Sequence, residues 1–211
     1  MDTVERWRLD PVNPDPAVLR RAADVVRREG LVAFPTDTLY GLAADPWSEA
    51  AVARLFAVKG RDATRALPVI AADAEQIERC IAGLPRAARR LAARFWPGPL
   101  TLVIDASPGL AAAVYGEART VAVRVPDHAV ARGLAAAVGR PITSTSANRS
   151  GDEPAASPDD VAVALGADVD GLLDAGPTPG GLPSTIVDAR TDTPRLVRSG
   201  AIAFSLILDV L

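Results

Sequence analysis

Four polar segments hold the side chains best suited to chemistry in this 211-residue chain. The first, Pro35-Thr36-Asp37-Thr38-Leu39-Tyr40-Gly41-Leu42, gathers hydroxyls, a carboxylate and a phenol at the exit of an apolar run; a turn-rich loop is the plain alternative, since Thr, Asp and Gly all suit turns. The second, Lys59-Gly60-Arg61-Asp62-Ala63-Thr64-Arg65, brings together cations that can converge on a polyanion such as a phosphate chain. All but one of the 23 basic residues are arginine, and Lys59 is the exception. A compact, strongly hydrated ammonium and a planar fork do different work, so Lys59 reads either as a phosphate contact or as a surface lysine left by chance.

The third segment is Thr120-Val121-Ala122-Val123-Arg124-Val125-Pro126. Alternation with period two puts Thr120, Ala122 and Arg124 on one face of a strand and the valines on the other. A buried arginine there needs a partner, which is either a ligand carboxylate or an acidic side chain of the chain itself. The fourth, Ser144-Thr145-Ser146-Ala147-Asn148-Arg149-Ser150-Gly151, is a burst of small hydroxyl residues after a strand. Small residues let backbone N–H groups approach an anion closely, although serine-rich loops are common.

Several other chemistries are excluded. The sequence contains no G-x-x-x-x-G-K-[ST], no G-x-G-x-x-G after a strand and no G-x-S-x-G. A Ser-His-Asp triad would have to use His128, which reads better as a helix-start residue, and Cys80 falls on the apolar face of a helix. One cysteine and one histidine leave no disulfide framework and no His/Cys zinc cluster. A net charge of −3 does not suit a protein whose main task is gripping a nucleic-acid backbone. The opening residues lack the layout of a signal peptide and the apolar stretches are too short to span a bilayer, so a cytoplasmic setting without membrane contact is expected.

To act together, these segments need a scaffold that brings strand ends to one place. Strand-like and helix-like stretches alternate along the chain. Strands are expected at Val4–Leu9, Leu31–Phe34, Leu67–Ala71, Leu100–Ile104, Thr120–Val125, Ile142–Thr145, Gly171–Leu173, Ser184–Asp188 and Arg195–Arg198. Helices are expected from Asn13-Pro14 to about Arg28 with Gly30 as the stop, from Ser48 to Val58, after Asp73, from Pro85 to Phe95, from His128 to Val138, and after Ser157-Pro158. The pattern implies a single α/β domain over residues 1–211, a mixed sheet flanked by helices. Ligands of open α/β sheets sit beyond strand ends, where the polar segments fall.

Six ordered segments give the chain a specific likeness. Phe34–Leu42, Lys59-Gly-Arg61, Trp96-Pro-Gly-Pro-Leu-Thr101, Val121–Pro126, Ser144–Asn148 and Ser184-Thr-Ile186 follow the order and spacing of the YrdC-like family, which the chain resembles from about Pro14 to Gly200. The resemblance implies an open fold with a twisted mixed sheet around a large, positively lined cavity. It also implies a nucleotidyltransferase that makes L-threonylcarbamoyladenylate and pyrophosphate from L-threonine, bicarbonate and ATP, with Mg2+ arriving on the ATP. The product would pass to a tRNA threonylcarbamoyl-transfer complex, for N6-threonylcarbamoyladenosine modification of tRNA.

Carried over by motif, the resemblance makes Thr38, Arg124, Ser144 and Ser184 contacts to L-threonine. It makes Lys59, Arg61, Arg65, Thr120, Ser146, Asn148 and Arg198 contacts to ATP, with Lys59 and Arg61 closest to the chemistry, and Trp96–Pro99 a structural turn. Asp62 departs from the proline usual after the Lys-x-Arg pair, and Ile70 stands where some members carry a threonine-contacting histidine. Only 13 residues follow Arg198, so the short form without a further C-terminal domain is expected.

The same resemblance leaves a structured-RNA-binding or ribosome-assembly role as the alternative, with weak tRNA contact through Arg86, Arg90 and Arg94. Those arginines form an i, i+4, i+8 row on one helix, which reads better as a solvated face given the net negative charge. A carbamoyl-transfer module of hydrogenase maturation is a third reading, but such proteins carry cysteine-rich motifs and this chain has one cysteine.

Overall fold

Polar side chains that replace missing backbone partners open four of the helices in the computed structural model, which describes residues 4–60, 66–115 and 118–211. In chain order the first elements are β1 (Arg6–Arg8), α1 (Pro16–Arg27), β2 (Val32–Phe34), β3 (Gly41–Ala43), α2 (Glu49–Lys59) and β4 (Pro68–Ile70). Next come α3 (Ala74–Ile77), α4 (Arg86–Phe95), β5 (Leu100–Asp105), α5 (Ala112–Tyr115), β6 (Thr120–Arg124) and α6 (Ala129–Val138). The order closes with β7 (Ile142–Thr143), β8 (Thr145–Ser146), α7 (Pro158–Leu165), β9 (Gly171–Asp174), β10 (Thr185–Asp188), β11 (Arg195–Arg198) and α8 (Phe204–Leu208).

Ser48 caps α2 by accepting from the Ala51 N–H at 3.1 Å, and Asp73 caps α3 through the Gln76 N–H at 2.7 Å. Ser157 and Asp160 form a reciprocal capping box on α7. The first long helix starts later than the sequence suggests. Its cap is Asp15, which accepts from the Ala17 N–H at 2.8 Å, because Pro16 has the preset φ of a first helical residue and Pro14 keeps Asn13 extended. Its left-handed exit falls on Glu29 (φ 64°) rather than Gly30. Gly30 serves close approach instead, since a Cβ there would lie 2.5 Å from Val25 Cγ1.

The α/β alternation is present, with the strands divided between two sheets. One has the order β1-β9-β2-β3-β8 and the other β11-β10-β5-β6-β4-β7. Both mix parallel and antiparallel neighbours. The expected strand Ile142–Thr145 is in fact two: β7 pairs with β4 in the second sheet and β8 with β3 in the first. Between them Ser144 donates its N–H to Pro68 O at 2.8 Å, so the chain crosses from sheet to sheet at that residue. β3 lies within what reads locally as loop, and α5 and α8 are short helices the periodicity does not signal.

One apolar cluster joins Leu19, Ala22 and Val26 of α1, Val130 and Leu134 of α6, and Val32 and Phe34 of β2. Gly133 lets α6 approach α1, because a Cβ there would meet Leu19 Cδ1 at 2.7 Å. A second, larger cluster gathers Leu55 of α2, Leu91 of α4 and Leu100, Leu102 and Ile104 of β5. Each such side chain taken fully out of water contributes roughly 1.5–3 kcal/mol, which fixes the sheets that frame the site. Among the described residues no helix is long and apolar enough to cross a membrane.

Candidate functional site

A cavity of about 440 Å³ opens between the two sheets, within the usual size range of small-molecule sites. The first sheet contributes Gly41, Thr145 and Ser146, and the second contributes Ile70, Thr101, Ala122, Arg124, Ile186 and Arg198. The charged lining residues are Lys59, Arg124 and Arg198, and no carboxylate lines the cavity among the described residues. Thr36, Thr38, Ser144, Ser146 and Ser184 add hydroxyls.

Lys59 ends α2 where Gly60 takes the left-handed conformation that stops the helix. Its ammonium is buried, donating to Ser146 O at 2.6 Å and Asn148 O at 2.8 Å, with Asn148 Oδ1 at 3.4 Å. The Ser150 N–H returns a bond to Lys59 O at 2.8 Å. Ser146 Oγ donates to Asn148 Oδ1 at 2.5 Å, and Asn148 Nδ2 reaches Asp152 O at 2.7 Å. The second and fourth polar segments thus form one unit at one end of the cavity.

Arg124 ends β6 and is buried. Its Nε donates to Gly98 O at 2.9 Å, Nη1 to Thr38 Oγ1 at 3.4 Å, and Nη2 to Asp37, with which it forms an ion pair. The acidic partner weighed from sequence is therefore real, and Arg124 lines the cavity as well. Thr38 is set by a tight turn in which Thr36 Oγ1 accepts the N–H of Thr38 at 3.1 Å and of Leu39 at 3.2 Å.

Ser184 precedes β10 and shares a hydrogen bond with Thr101 Oγ1 at 2.8 Å. Arg198 Nη2 donates to Ser184 O at 2.8 Å and to Ser184 Oγ at 3.2 Å. Although β11 is an exposed edge strand, this guanidinium turns inward. Burial lowers its pKa below the ordinary guanidinium value, and the like charge of Arg124 adds to the effect.

Of the expected site residues, Thr38, Lys59, Arg124, Ser144, Ser146, Asn148, Ser184 and Arg198 all line this one cavity. Thr120 does not: it begins β6 opposite Asp105, on the same strand face as Arg124 but beyond the lining. Arg61, Arg65 and the departure at Asp62 lie outside the described residues. Ile70 lines the cavity, giving it an apolar wall. Local reasoning did not single out Thr101 or Gly98 as part of the site. The Trp96–Thr101 turn is structural in the expected sense, with Trp96 Nε1 donating to Leu100 O at 2.7 Å. It also supplies the carbonyl that holds Arg124. The signal was Gly98 itself, where a Cβ would lie 2.5 Å from Phe95 O.

Comparisons with known proteins bear on this geometry. A family model named Sua5_yciO_yrdC and described as telomere recombination matches residues 24–200. The chain is 38% identical over 210 residues to a threonylcarbamoyl-AMP synthase of Pyrococcus abyssi, covering 100% of this chain and 59% of that protein. It is 43% identical over 174 residues to one of Chromohalobacter salexigens, covering 81% of this chain and 94% of that protein. Among solved structures, P. abyssi Sua5 complexed with L-threonine superposes with a TM-score of 0.92 at 38% identity, covering 99% of this chain and 60% of that one. Escherichia coli YciO superposes with a TM-score of 0.85 at 25% identity, covering 94% of this chain and 96% of that one. The chain thus spans less than two thirds of the Pyrococcus relative. Since the family match runs from within α1 to the residue after Ser199 and takes in every strand except β1, the chain belongs to the Sua5/YciO/YrdC family.

Proposed function

We propose that the chain is an L-threonylcarbamoyladenylate synthase, a nucleotidyltransferase that consumes L-threonine, bicarbonate and ATP. One observation carries the reading: a single cavity lined by Lys59, Arg124, Arg198 and several hydroxyls, with no carboxylate among its described lining residues. Such a lining suits a triphosphate and an amino-acid carboxylate held side by side. The names of the relatives and the threonine-bound Pyrococcus structure support it.

In this reading Thr38, Arg124, Ser144 and Ser184 hold L-threonine, while Lys59, Arg61, Arg65, Thr120, Ser146, Asn148 and Arg198 hold ATP. The threonine amine adds to bicarbonate with loss of water, giving N-carboxythreonine. A carbamate oxygen then attacks the α-phosphorus, the bond to the bridging oxygen breaks, and pyrophosphate leaves. Neither step needs a covalent enzyme nucleophile. The side chains align two anions and stabilise charge on the transferring group. Mg2+ enters on the triphosphate as part of that substrate. In this reading phosphate oxygens, rather than a cage of protein carboxylates, carry the metal. The product passes to a tRNA threonylcarbamoyl-transfer complex in the cytoplasm.

Incubating the pure protein with ATP, bicarbonate and labelled threonine tests the proposal. The mixed anhydride should appear by mass spectrometry, and pyrophosphate release should depend strictly on L-threonine. Folded protein that releases none under these conditions refutes it. The RNA-binding alternative draws on one feature, the exposed Arg86, Arg89 and Arg90 lining a shallow concavity on α4. Steeply salt-dependent tRNA binding that is lost in the Arg86→Ala/Arg90→Ala protein would favour that role.

A further inference from the structure

We propose that Asp37 is a positioning residue that aims the Arg124 guanidinium at the carboxylate of the amino-acid substrate; the inference rests on reading this cavity as an L-threonine site. Asp37 is the one member of the first polar segment between Thr36 and Leu39 that does not line the cavity. It grips Arg124 from outside, through an ion pair in which its own side chain is 14% exposed and that of Arg124 is 9% exposed.

A guanidinium has five N–H bonds in a fixed plane. In Arg124 the Nε–H is taken by Gly98 O, one Nη1–H points to Thr38 and one Nη2–H goes to Asp37. What remains is one N–H on each terminal nitrogen, a pair of donors available to the two oxygens of a carboxylate. Asp37 and a bound carboxylate therefore use different hydrogens and can be held together.

Two effects of Asp37 oppose each other. Its negative charge weakens the attraction of Arg124 for an anion, so removing it would tighten binding. Its grip also fixes the plane of the fork, so removing it would loosen binding. Geometry favours the second. Without Asp37 the plane is held by Gly98 O at 2.9 Å and by the long 3.4 Å contact to Thr38, and the nearby Arg198 repels it. A planar donor free to turn about one strong anchor loses its two-point match to the ligand.

The test uses steady-state kinetics of pyrophosphate release with threonine and ATP varied in turn. In Asp37→Asn the KM for threonine should rise at least tenfold while the KM for ATP stays within twofold. Asp37→Glu, which keeps the charge on a longer stem, should recover part of the loss. In an Arg124→Lys background, which has no planar fork, adding Asp37→Asn should change the threonine KM less than twofold. An unchanged or lower threonine KM in Asp37→Asn, or an equal rise for ATP, overturns the proposal. If Asp37→Asn does not fold, Asp37→Glu decides, because an unchanged threonine KM there overturns it too. Wild-type protein without threonine-dependent release would defeat the functional reading and this inference with it. An active wild type with an indifferent Asp37→Asn would defeat the inference alone.

Discussion

Lys59 and Asn148 are 89 residues apart in sequence and meet through both the main chain and the side chain of Asn148, with Lys59 Nζ 2.8 Å from the carbonyl and 3.4 Å from Oδ1. With Ser146 O also accepting at 2.6 Å, the ammonium donates in three directions. A tetrahedral group does this and a planar fork does not, which is a physical reason for a lysine at this position in a chain otherwise built with arginine.

Lys59→Arg should therefore fail like Lys59→Ala. Both should lower threonine-dependent pyrophosphate release at least 100-fold. Lys59→Ala should also lose about 1–3 kcal/mol of stability, because the carbonyls of Ser146 and Asn148 lose their buried donor. Urea denaturation and pyrophosphate assays on both variants check this, and full activity in Lys59→Arg would contradict it.

Gly200 packs its Cα against the backbone that carries Ser184. A Cβ there would lie 2.3 Å from Pro183 O and 2.5 Å from Thr185 N. Backbone cannot yield as a side-chain tip does, so Gly200→Ala should cost about 1–3 kcal/mol or more and shift Ser184. Threonine affinity by calorimetry should fall together with the melting temperature.

His128 caps α6 without a side-chain bond, and its buried Nδ1 has no hydrogen-bond partner among the described residues. Burial lowers its pKa below the ordinary 6.5, against the opposing pull of Asp37 and Asp127. Below pH 6.5 the unfolded chain then holds a proton that the folded chain refuses, so stability falls as pH drops through that range. Denaturation midpoints between pH 7.5 and about 5 should decline for the wild type and decline less for His128→Gln.

Cys80 is fully buried and its thiol is pushed up to about 12 by that burial. The thiolate is the reactive form, so native protein at pH 8 should not react with a disulfide-exchange reagent, while denatured protein should consume one equivalent. Rapid labelling of the native state would mean that the larger core cluster, to which Cys80 belongs, is open.

Local features legible in the sequence were those set within a few residues. Ser48, Asp73 and Ser157 cap helices because a side-chain oxygen finds an N–H two or three positions ahead. Alternation along Thr120–Arg124 correctly placed Ala122 and Arg124 on one face, since pleat period is a property of the strand alone. The ordered motifs named residues that the structure gathers around one cavity, except Thr120 and those outside the described residues.

Long-range choices were not legible. Whether Ile142–Thr145 made one strand or two depended on β4 and β3, which lie in different sheets and pull its halves apart. Whether Arg124 faced an acid or a ligand depended on Asp37, 87 residues away. Both outcomes are decided by which surfaces can be buried together, an energy that exists only once distant segments meet. Local propensity and spacing thus determined most of the elements and the chemical inventory of this chain, while burial between two sheets decided which of those groups would share a cavity and which would stand behind it.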